Sequence, residues 1–283
     1  MTDSVVDAHH HLWDLATRDY PWLAGEAMTP IRRRYDAADL RERTDKAGVS
    51  GTVLVQTTSD LTETTEFLAT AAAEPDLIRG VVGWVNLTDP AIADTLAELR
   101  TRPGGERLVG IRHQVQDEPD PEWLTRPDVR RGLRAIANAG LAYDLLLSPG
   151  QLPAAIKTVQ ALPEARFILD HAGKPRIATG ETQSWSDLLG TLAELPNVAC
   201  KLSGLVTEAD WKHWSPADLR PYALRVLFAF GPDRVMFGSD WPVCELATGY
   251  QEVFALAGDL CGELSTAERN AVFGNTARAW YDL

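Results

Sequence analysis

Two histidines near the start of the sequence have the spacing needed to act together. His9 and His11 follow the apolar pair Val5 and Val6, which predicts a β-strand. Because residues i and i+2 of a strand point to the same side, the two imidazoles can converge on one point. There they could bind a divalent metal ion or hold a carbonyl oxygen. His10 must point the other way, and we assign it no role.

Two later residues offer complementary chemistry, and each also ends an apolar run. His171 precedes a turn of small residues that could bring its ring to the mouth of the same fold. Asp240 offers a carboxylate, which has an ordinary pKa near 3.9 and can accept a proton from water at neutral pH. Taken alone, His171 fits a hydrogen-bonded structural histidine and Asp240 fits a loop partner. Their occurrence together with His9 and His11 favours catalysis.

The elements that must position these residues alternate regularly along the chain. Eight short runs rich in Val, Ile and Leu are typical of parallel strands covered on both faces, and they occupy residues 5–9, 52–56, 80–85, 108–112, 141–147, 166–170, 197–202 and 234–238. Helices fill the gaps, with predicted N-caps at Asp36, Ser215 and Ser265. The pattern predicts an α/β fold, a single (β/α)8 TIM barrel over residues 1–283, without a glycine-rich phosphate loop.

Active sites of such barrels lie at the carboxyl ends of the strands. Besides the histidines and Asp240, these predicted ends carry Gln56, Asn86, Arg112, His113, Asp144, Asp170 and Lys201. Arg112, His113 and Lys201 are hydrogen-bond donors, so we predict that they contact the substrate. The alternative is an ion-pair network with Asp144 or Asp170 that holds this end of the barrel together.

The connection after the first strand is unusually long. Residues 12–35 join that strand to the next helix and include Trp13, Tyr20 and Trp22. Ordered loops of this length are usually functional, which predicts a lid over the active site. An aromatic plug that stabilises one end of the barrel is a compatible interpretation.

Composition narrows the class of protein and its partners. The 40 acidic and 27 basic side chains give a net charge of -13, which argues against nucleic acid as a partner. No apolar stretch approaches the roughly 20 residues needed to span a membrane. Three unevenly spaced cysteines do not suggest a disulfide framework, and residues 1–4 do not resemble the start of a signal peptide. We therefore expect a cytoplasmic protein, and the sequence leaves a homo-oligomer open.

Six segments resemble the amidohydrolase superfamily, in its branch of sugar lactonases such as L-fuconolactonase and L-rhamnonolactonase. The segments are residues 6–14 (VDAHHHLWD), 20–23 (YPWL), 110–114 (GIRHQ), 169–175 (LDHAGKP), 200–205 (CKLSGL) and 237–242 (FGSDWP). The resemblance extends over nearly the whole chain. It implies catalytic roles for His9, His11, His171 and Asp240.

The resemblance also implies a reaction, the opening of a sugar-derived lactone to its hydroxy acid. Asp240 would act as general base and then general acid on water. His9, His11 and His171 would polarise the carbonyl group, with or without one divalent ion. Zinc is the first candidate for that ion, with His9, His11 and Asp240 as ligands. Trp22 could stack on the sugar ring, although it could equally belong to the core of its loop.

Some residues differ from those of the wider superfamily, and these differences affect the expected number of metal ions and the choice among alternative functions. Arg112 and His113 stand where many members carry a bridging lysine or a glutamate, and Asp144 stands where many place a histidine. These differences argue against a site with two metal ions. The alternatives are a metal-dependent decarboxylase of the same superfamily, or a barrel that only binds a sugar acid.

Overall fold

The strands form one parallel sheet in chain order. The computed structural model describes residues 4–283, so the first three residues of the predicted domain, and the signal-peptide argument that rests on them, lie outside the described part. The strands are β1 (Val5–His10), β2 (Val49–Val55), β3 (Ile78–Gly83), β4 (Leu108–Gln114), β5 (Ala142–Leu146), β6 (Arg166–Leu169), β7 (Val198–Leu202) and β8 (Val235–Phe237). The segment after β8 closes the sheet, since Asp240 N donates to His9 O (2.8 Å) and His11 N donates to Trp241 O (2.7 Å). The predicted barrel is confirmed.

Helices connect the strands, and three of them begin directly after the predicted N-caps. They are α1 (Ala37–Ala47), α2 (Leu61–Ala73), α3 (Ile92–Thr101), α4 (Pro127–Asn138), α5 (Leu152–Ala161), α6 (Gln183–Ala193), α7 (Leu205–Glu208), α8 (Pro216–Phe230), α9 (Tyr250–Leu260), α10 (Thr266–Asn270) and α11 (Thr276–Tyr281). Asp36, Ser215 and Ser265 form capping boxes at α1, α8 and α10. Within residues 4–283, no helix combines the length and the apolar character needed to cross a bilayer.

The barrel interior is apolar below the carboxyl ends of the strands. One cluster fills it, with Val6, Ala8, Val53, Val55, Val82, Val109, Ala142, Ile168, Ala199 and Met236 among its members. A larger cluster lies between the sheet and the surrounding helices. Polar side chains are therefore gathered in the layer above, at the end where a barrel places its chemistry.

An extra residue in β1 decides which histidines face inward. Between two of its pairings with β2, β1 advances by three residues while β2 advances by two. Ala8 belongs to the interior cluster, so strict alternation would also have turned His10 inward and His9 outward. The irregularity, which has the form of a β-bulge, instead brings His9 to the inside together with His11.

The segment over residues 12–35 is packed against the barrel rather than extended into solvent. Six of its apolar side chains are buried, namely Leu12, Trp13, Tyr20, Leu23, Ile31 and Tyr35. Trp13 and Tyr35 form an antiparallel bridge, and the Tyr35 ring lies edge-on to Trp241, with 5.3 Å between centroids. This packing fits the plug interpretation, while movement as a lid stays a prediction.

Candidate active site

The four predicted catalytic residues meet at one point. Oδ1 of Asp240 lies 3.5 Å from Nε2 of His11 and 3.8 Å from Nε2 of both His9 and His171. The Nε2 atoms of His9 and His11 are 3.1 Å apart. All four side chains are buried. The arrangement directs one carboxylate and three imidazoles at a common position.

A buried carboxylate from β1 holds two parts of this cluster in place. Oδ1 of Asp7 accepts hydrogen bonds from the backbone N–H of Ser239 (2.8 Å) and of His9 (3.1 Å). Its Oδ2 accepts from the hydroxyl of Tyr250 at 3.0 Å. Asp7 therefore ties the strand that carries His9 to the segment that carries Asp240.

Gly238 permits the close approach of these two segments. A Cβ atom at this position would lie 2.7 Å from the Cβ of His9 and 3.2 Å from that of Ser203. Both contacting atoms are Cβ atoms of buried residues, so a change of side-chain rotamer cannot move them away. The glycine therefore allows the segment after β8 to lie directly against His9.

We expect Gly238→Ala to displace His9 and to lower turnover. Overpacking of this kind costs about 1–3 kcal/mol of stability. Gly150→Ala is the matched control, since a Cβ there meets nothing within 4 Å. Steady-state kinetics and thermal melts of both variants test the expectation. Equal activity in the two variants would contradict it.

A left-handed turn presents His171 to the site. Residues 171–174 have φ values of 51°, 53°, 70° and 53°, and only Gly173 among them is a glycine. Each other residue in this region costs about 1–2 kcal/mol, so the turn is strained. Nδ1 of His171 lies 2.9 Å from the hydroxyl of Ser203. A Cβ on Gly204 would come within 2.6 Å of that nitrogen, so the ring packs against bare backbone.

Hydrogen bonds fix the proton positions on the β1 imidazoles. The carbonyl of Val55 can only accept, so the 2.8 Å contact makes Nδ1 of His11 the protonated nitrogen. Lys201 Nζ lies 3.0 Å from Nδ1 of His9 and has only N–H groups to donate. The remaining proton of a neutral His9 ring is therefore on Nε2, where it can donate to the unprotonated Nε2 of His11 at 3.1 Å.

Lys201 belongs to a charge network beneath His9. Its Nζ lies 2.5 Å from Oδ2 of Asp144 and 2.9 Å from Oδ1 of Asp170. Arg112 completes the network through Asp170, at 3.0 Å. From α11, the hydroxyl of Tyr281 donates to Asp144 at 2.7 Å. Ionic groups therefore contact both ring nitrogens of His9, with Lys201 at Nδ1 and Arg112 at Nε2 (3.4 Å).

Burial sets the protonation states of the cluster. It lowers the pKa of His171 to about 4 and also lowers the pKa of His11, and burial with the nearby Lys201 ammonium depresses that of His9 further. Burial opposes ionisation of Asp240, but its interactions with His171, His11 and the Lys174 ammonium outweigh that effect and hold its pKa below the usual value. At neutral pH the site contains neutral imidazoles and an ionised carboxylate.

A cavity of about 290 Å³ opens above the cluster. Its lining combines polar and apolar side chains from several strand-end loops, including Trp22, Met28, Arg112, Gln114, Gln116, Leu146, Lys174, Glu208, Trp211, Val243 and Leu246 beside His11, His171 and Asp240. The volume suits a small-molecule ligand. Of the four predicted substrate contacts, Arg112 and Trp22 line the cavity, whereas His113 and Lys201 do not.

The reasons for these two placements differ. His113 neighbours Arg112 in β4, and adjacent strand residues face opposite sides. Its ring accepts from Trp84 Nε1 (3.0 Å), contacts Glu118 (2.7 Å) and stacks on Trp123. Lys201 does face inward, but it is wholly buried below His9. The ion-pair network, which the sequence left as an alternative, describes Lys201.

Sequence reasoning assigned no role to several residues that contact this site. Lys174 and Ser203 lie inside the quoted segments 169–175 and 200–205, which was the available signal. Glu208 and Gln116 lie in strand-end connections without periodicity, so no pattern indicated them. Asp7 stands next to the histidines and was treated only as part of the strand.

The distances within the cluster fit a single metal ion. His9, His11 and Asp240 each offer a ligand atom, and these atoms lie within 4.8 Å of one another. Their separations of 3.1–3.8 Å bracket the roughly 3.3 Å expected between ligands of a tetrahedral zinc. The cluster can therefore hold a metal ion. Arg112 NH1, 3.4 Å from His9 Nε2, adds a positive charge that weakens its retention.

A parallel (β/α)8 barrel whose strand ends gather three imidazoles and a carboxylate defines the amidohydrolase class of enzymes. The sequence matches the family described as amidohydrolase over residues 6–283. The chain belongs to this family, and the predicted membership is confirmed.

Named relatives and a solved structure agree with this assignment. An L-fucono-1,5-lactonase of Burkholderia multivorans is 40% identical over 290 residues, which cover 98% of this chain and 96% of that protein. An L-fucono-1,5-lactonase of Burkholderia ambifaria is 35% identical over 282 residues, covering 98% and 95%. A crystal structure of an amidohydrolase from Burkholderia multivorans with bound zinc has a TM-score of 0.93 and 38% identity, covering 99% of both chains.

Proposed function

We propose that this protein hydrolyses a sugar-derived lactone to its hydroxy acid. The observation that carries the proposal is that Oδ1 of Asp240 lies within 3.8 Å of the Nε2 atoms of three imidazoles at the base of a small cavity. The relatives named L-fucono-1,5-lactonase support the choice of substrate class. The lining of tryptophans beside amide and charged groups suits a sugar, which has apolar ring faces and polar edges.

Proton transfer in the proposed reaction begins at Asp240. Its carboxylate accepts a proton from water, and the resulting hydroxide attacks the lactone carbonyl. The Nε2–H of His9 donates to the oxygen that becomes negative, while His11 and His171 line the same position. Asp240 then returns the proton to the ring oxygen as the C–O bond breaks. Arg112 and Trp22 would contact the rest of the substrate.

His9 has its proton on the useful nitrogen because of the groups beneath it. Lys201 donates to Nδ1, which leaves the proton on Nε2, beside Asp240 and His11. We therefore propose that Lys201 positions His9 and does not contact substrate. A metal ion held by His9, His11 and Asp240 would supply Lewis-acid polarisation of the carbonyl.

A lactone panel with a pH indicator tests the reaction class. L-fucono-1,5-lactone is the first compound to assay, followed by other aldonolactones with five- and six-membered rings. Lactone hydrolysis releases acid, decarboxylation of an aromatic acid consumes a proton, and a binding protein does neither. Acid release with none of the lactones would contradict the proposal.

We expect at most one divalent ion per chain, with an occupancy that depends on preparation. The cations Lys201 and Arg112 beside His9 disfavour a second charge in the cluster. Elemental analysis before and after chelation measures the stoichiometry, and two equivalents per chain would refute a single site. Activity retained by verified metal-free protein would assign His9 and His11 to direct oxyanion contact, whereas activity restored only by added zinc would assign them as ligands.

A further inference from the structure

Three polar side chains form a second cluster on the wall of the cavity. Lys174 Nζ lies 3.0 Å from Oε1 of Gln116 and 3.2 Å from Oε1 of Glu208. They come from the connections after β4, β6 and β7, and all three line the cavity. The side chains of Lys174 and Glu208 are 27% and 22% exposed, so a ligand can reach them. The proposed hydrolysis uses none of these groups.

Backbone and charge place this cluster beside the catalytic centre. Lys174 is the last residue of the strained left-handed turn that begins at His171, so the two side chains have a defined relation. Burial raises the pKa of Glu208, and the nearby Asp240 adds to that increase. Lys174 is in turn one of the groups that lower the pKa of Asp240. Asp240 and the Lys174–Glu208 pair line the same cavity, so a ligand that reaches from Asp240 to this wall contacts both.

The cations that line the cavity already have carboxylate partners. Lys174 pairs with Glu208, and Arg112 pairs with Asp170 at 3.0 Å. Among the lining residues, these are the two permanently cationic side chains, and Asp117 and Asp240 add negative charges. A ligand carboxylate would find both cations engaged and would face Asp240. A hydroxyl group can instead accept from Lys174 and donate to Glu208 at once.

We propose that the Lys174–Glu208 pair is a subsite for a hydroxyl group of an uncharged lactone, and that Glu208 excludes lactones that carry a carboxylate. The identification of the ligand as a lactone rests on the proposed function. Selection works here by repulsion as well as attraction, since the carboxylate of Glu208 neutralises the lysine that would otherwise bind an acid.

Two lactams can measure binding without turnover, because each has an amide in place of the ring ester. The neutral probe is L-fucono-1,5-lactam, and the charged probe is the same lactam with its C6 methyl group oxidised to a carboxylate. Calorimetry gives the Kd of each probe for the wild-type protein, Glu208→Gln and Glu208→Asp. Glu263→Gln is the matched control, because Glu263 is exposed and lies outside the cavity lining. Thermal melts verify that each variant is folded.

We expect the wild-type protein to bind the charged lactam at least about tenfold more weakly than the neutral one. Glu208→Gln should lower the ratio of the charged-lactam Kd to the neutral-lactam Kd by about tenfold. The substitution frees Lys174 from its carboxylate partner without changing the size of the side chain at position 208. Glu208→Asp and Glu263→Gln should keep the ratio. An unchanged ratio in Glu208→Gln, or no binding of the neutral lactam to the wild-type protein, would overturn the subsite.

The same experiment distinguishes the subsite from the reaction. Lactam binding with the expected ratios, in a protein that hydrolyses no lactone, would refute the proposed function and leave the subsite standing. If the protein hydrolyses lactones but Glu208→Gln leaves the ratio of the two lactam Kd values unchanged, the subsite alone is refuted.

Discussion

Asp240→Asn is expected to lower kcat for lactone hydrolysis by roughly 10²–10⁴, the range typical for loss of a general base. The amide has nearly the same shape but cannot accept a proton from water. Its backbone hydrogen bond to His9 O, at 2.8 Å, is unaffected, so the fold should be retained. Steady-state kinetics with a circular-dichroism spectrum test both parts. Near wild-type turnover in a folded variant would remove Asp240 from the role of base.

The matched control for this variant is Asp76→Asn, an exposed position that should keep full activity. The pH profile supplies a second check. Because the pKa of Asp240 lies below its ordinary value of 3.8 and that of His171 is about 4, the wild-type rate should be kept through weakly acidic pH and fall only near pH 4 and below. A loss of activity centred near pH 6 would indicate a different base.

Lys201→Met is expected to have the largest effect on stability. The variant removes the ammonium from between Asp144 and Asp170, both fully buried, and leaves two carboxylates facing each other. Breaking a buried ion pair in this way costs about 3–5 kcal/mol. Turnover should also fall, since His9 loses the donor that fixes its proton position. Urea denaturation and kinetics measure the two effects.

Two further variants show whether unpaired charge causes the loss. Adding Asp144→Asn to Lys201→Met removes one stranded carboxylate and should recover part of the stability. Lys157→Met is the control at the surface, because the pair of Lys157 with Glu122 is about half exposed and worth at most about 1 kcal/mol. If the Lys201→Met protein is as stable as the Lys157→Met protein, the buried network does not stabilise the fold as we expect.

The regular features of the fold were predictable because they repeat. Eight apolar runs predicted eight strands, and the rule that barrel chemistry lies at the carboxyl ends of the strands grouped His171 and Asp240 with the β1 histidines. The extra residue in β1 was not predictable, since it appears only in the pairing with β2. The His-x-His spacing indicated that two rings share a side, but not that this side is the interior.

Side-chain direction limited the prediction of substrate contacts. Alternation in a strand allows only one of Arg112 and His113 to face the cavity, so grouping both as contacts exceeded what the pattern supports. Lys201 faces inward as expected, and its depth below His9 depends on the tilt and register of β7. Glu208 lies in a four-residue helix, whose position no sequence period describes.

The paired charges around the cavity also bear on how the reaction ends. Under the proposed chemistry a neutral molecule enters and an anion is formed, because a hydroxy acid is ionised at neutral pH. The new carboxylate arises beside Asp240, while Arg112 and Lys174 remain engaged with Asp170 and Glu208. Repulsion between like charges then speeds departure of the product and opposes its re-entry. The site is thus suited to continuous flux in the direction of ring opening, even where the acid accumulates.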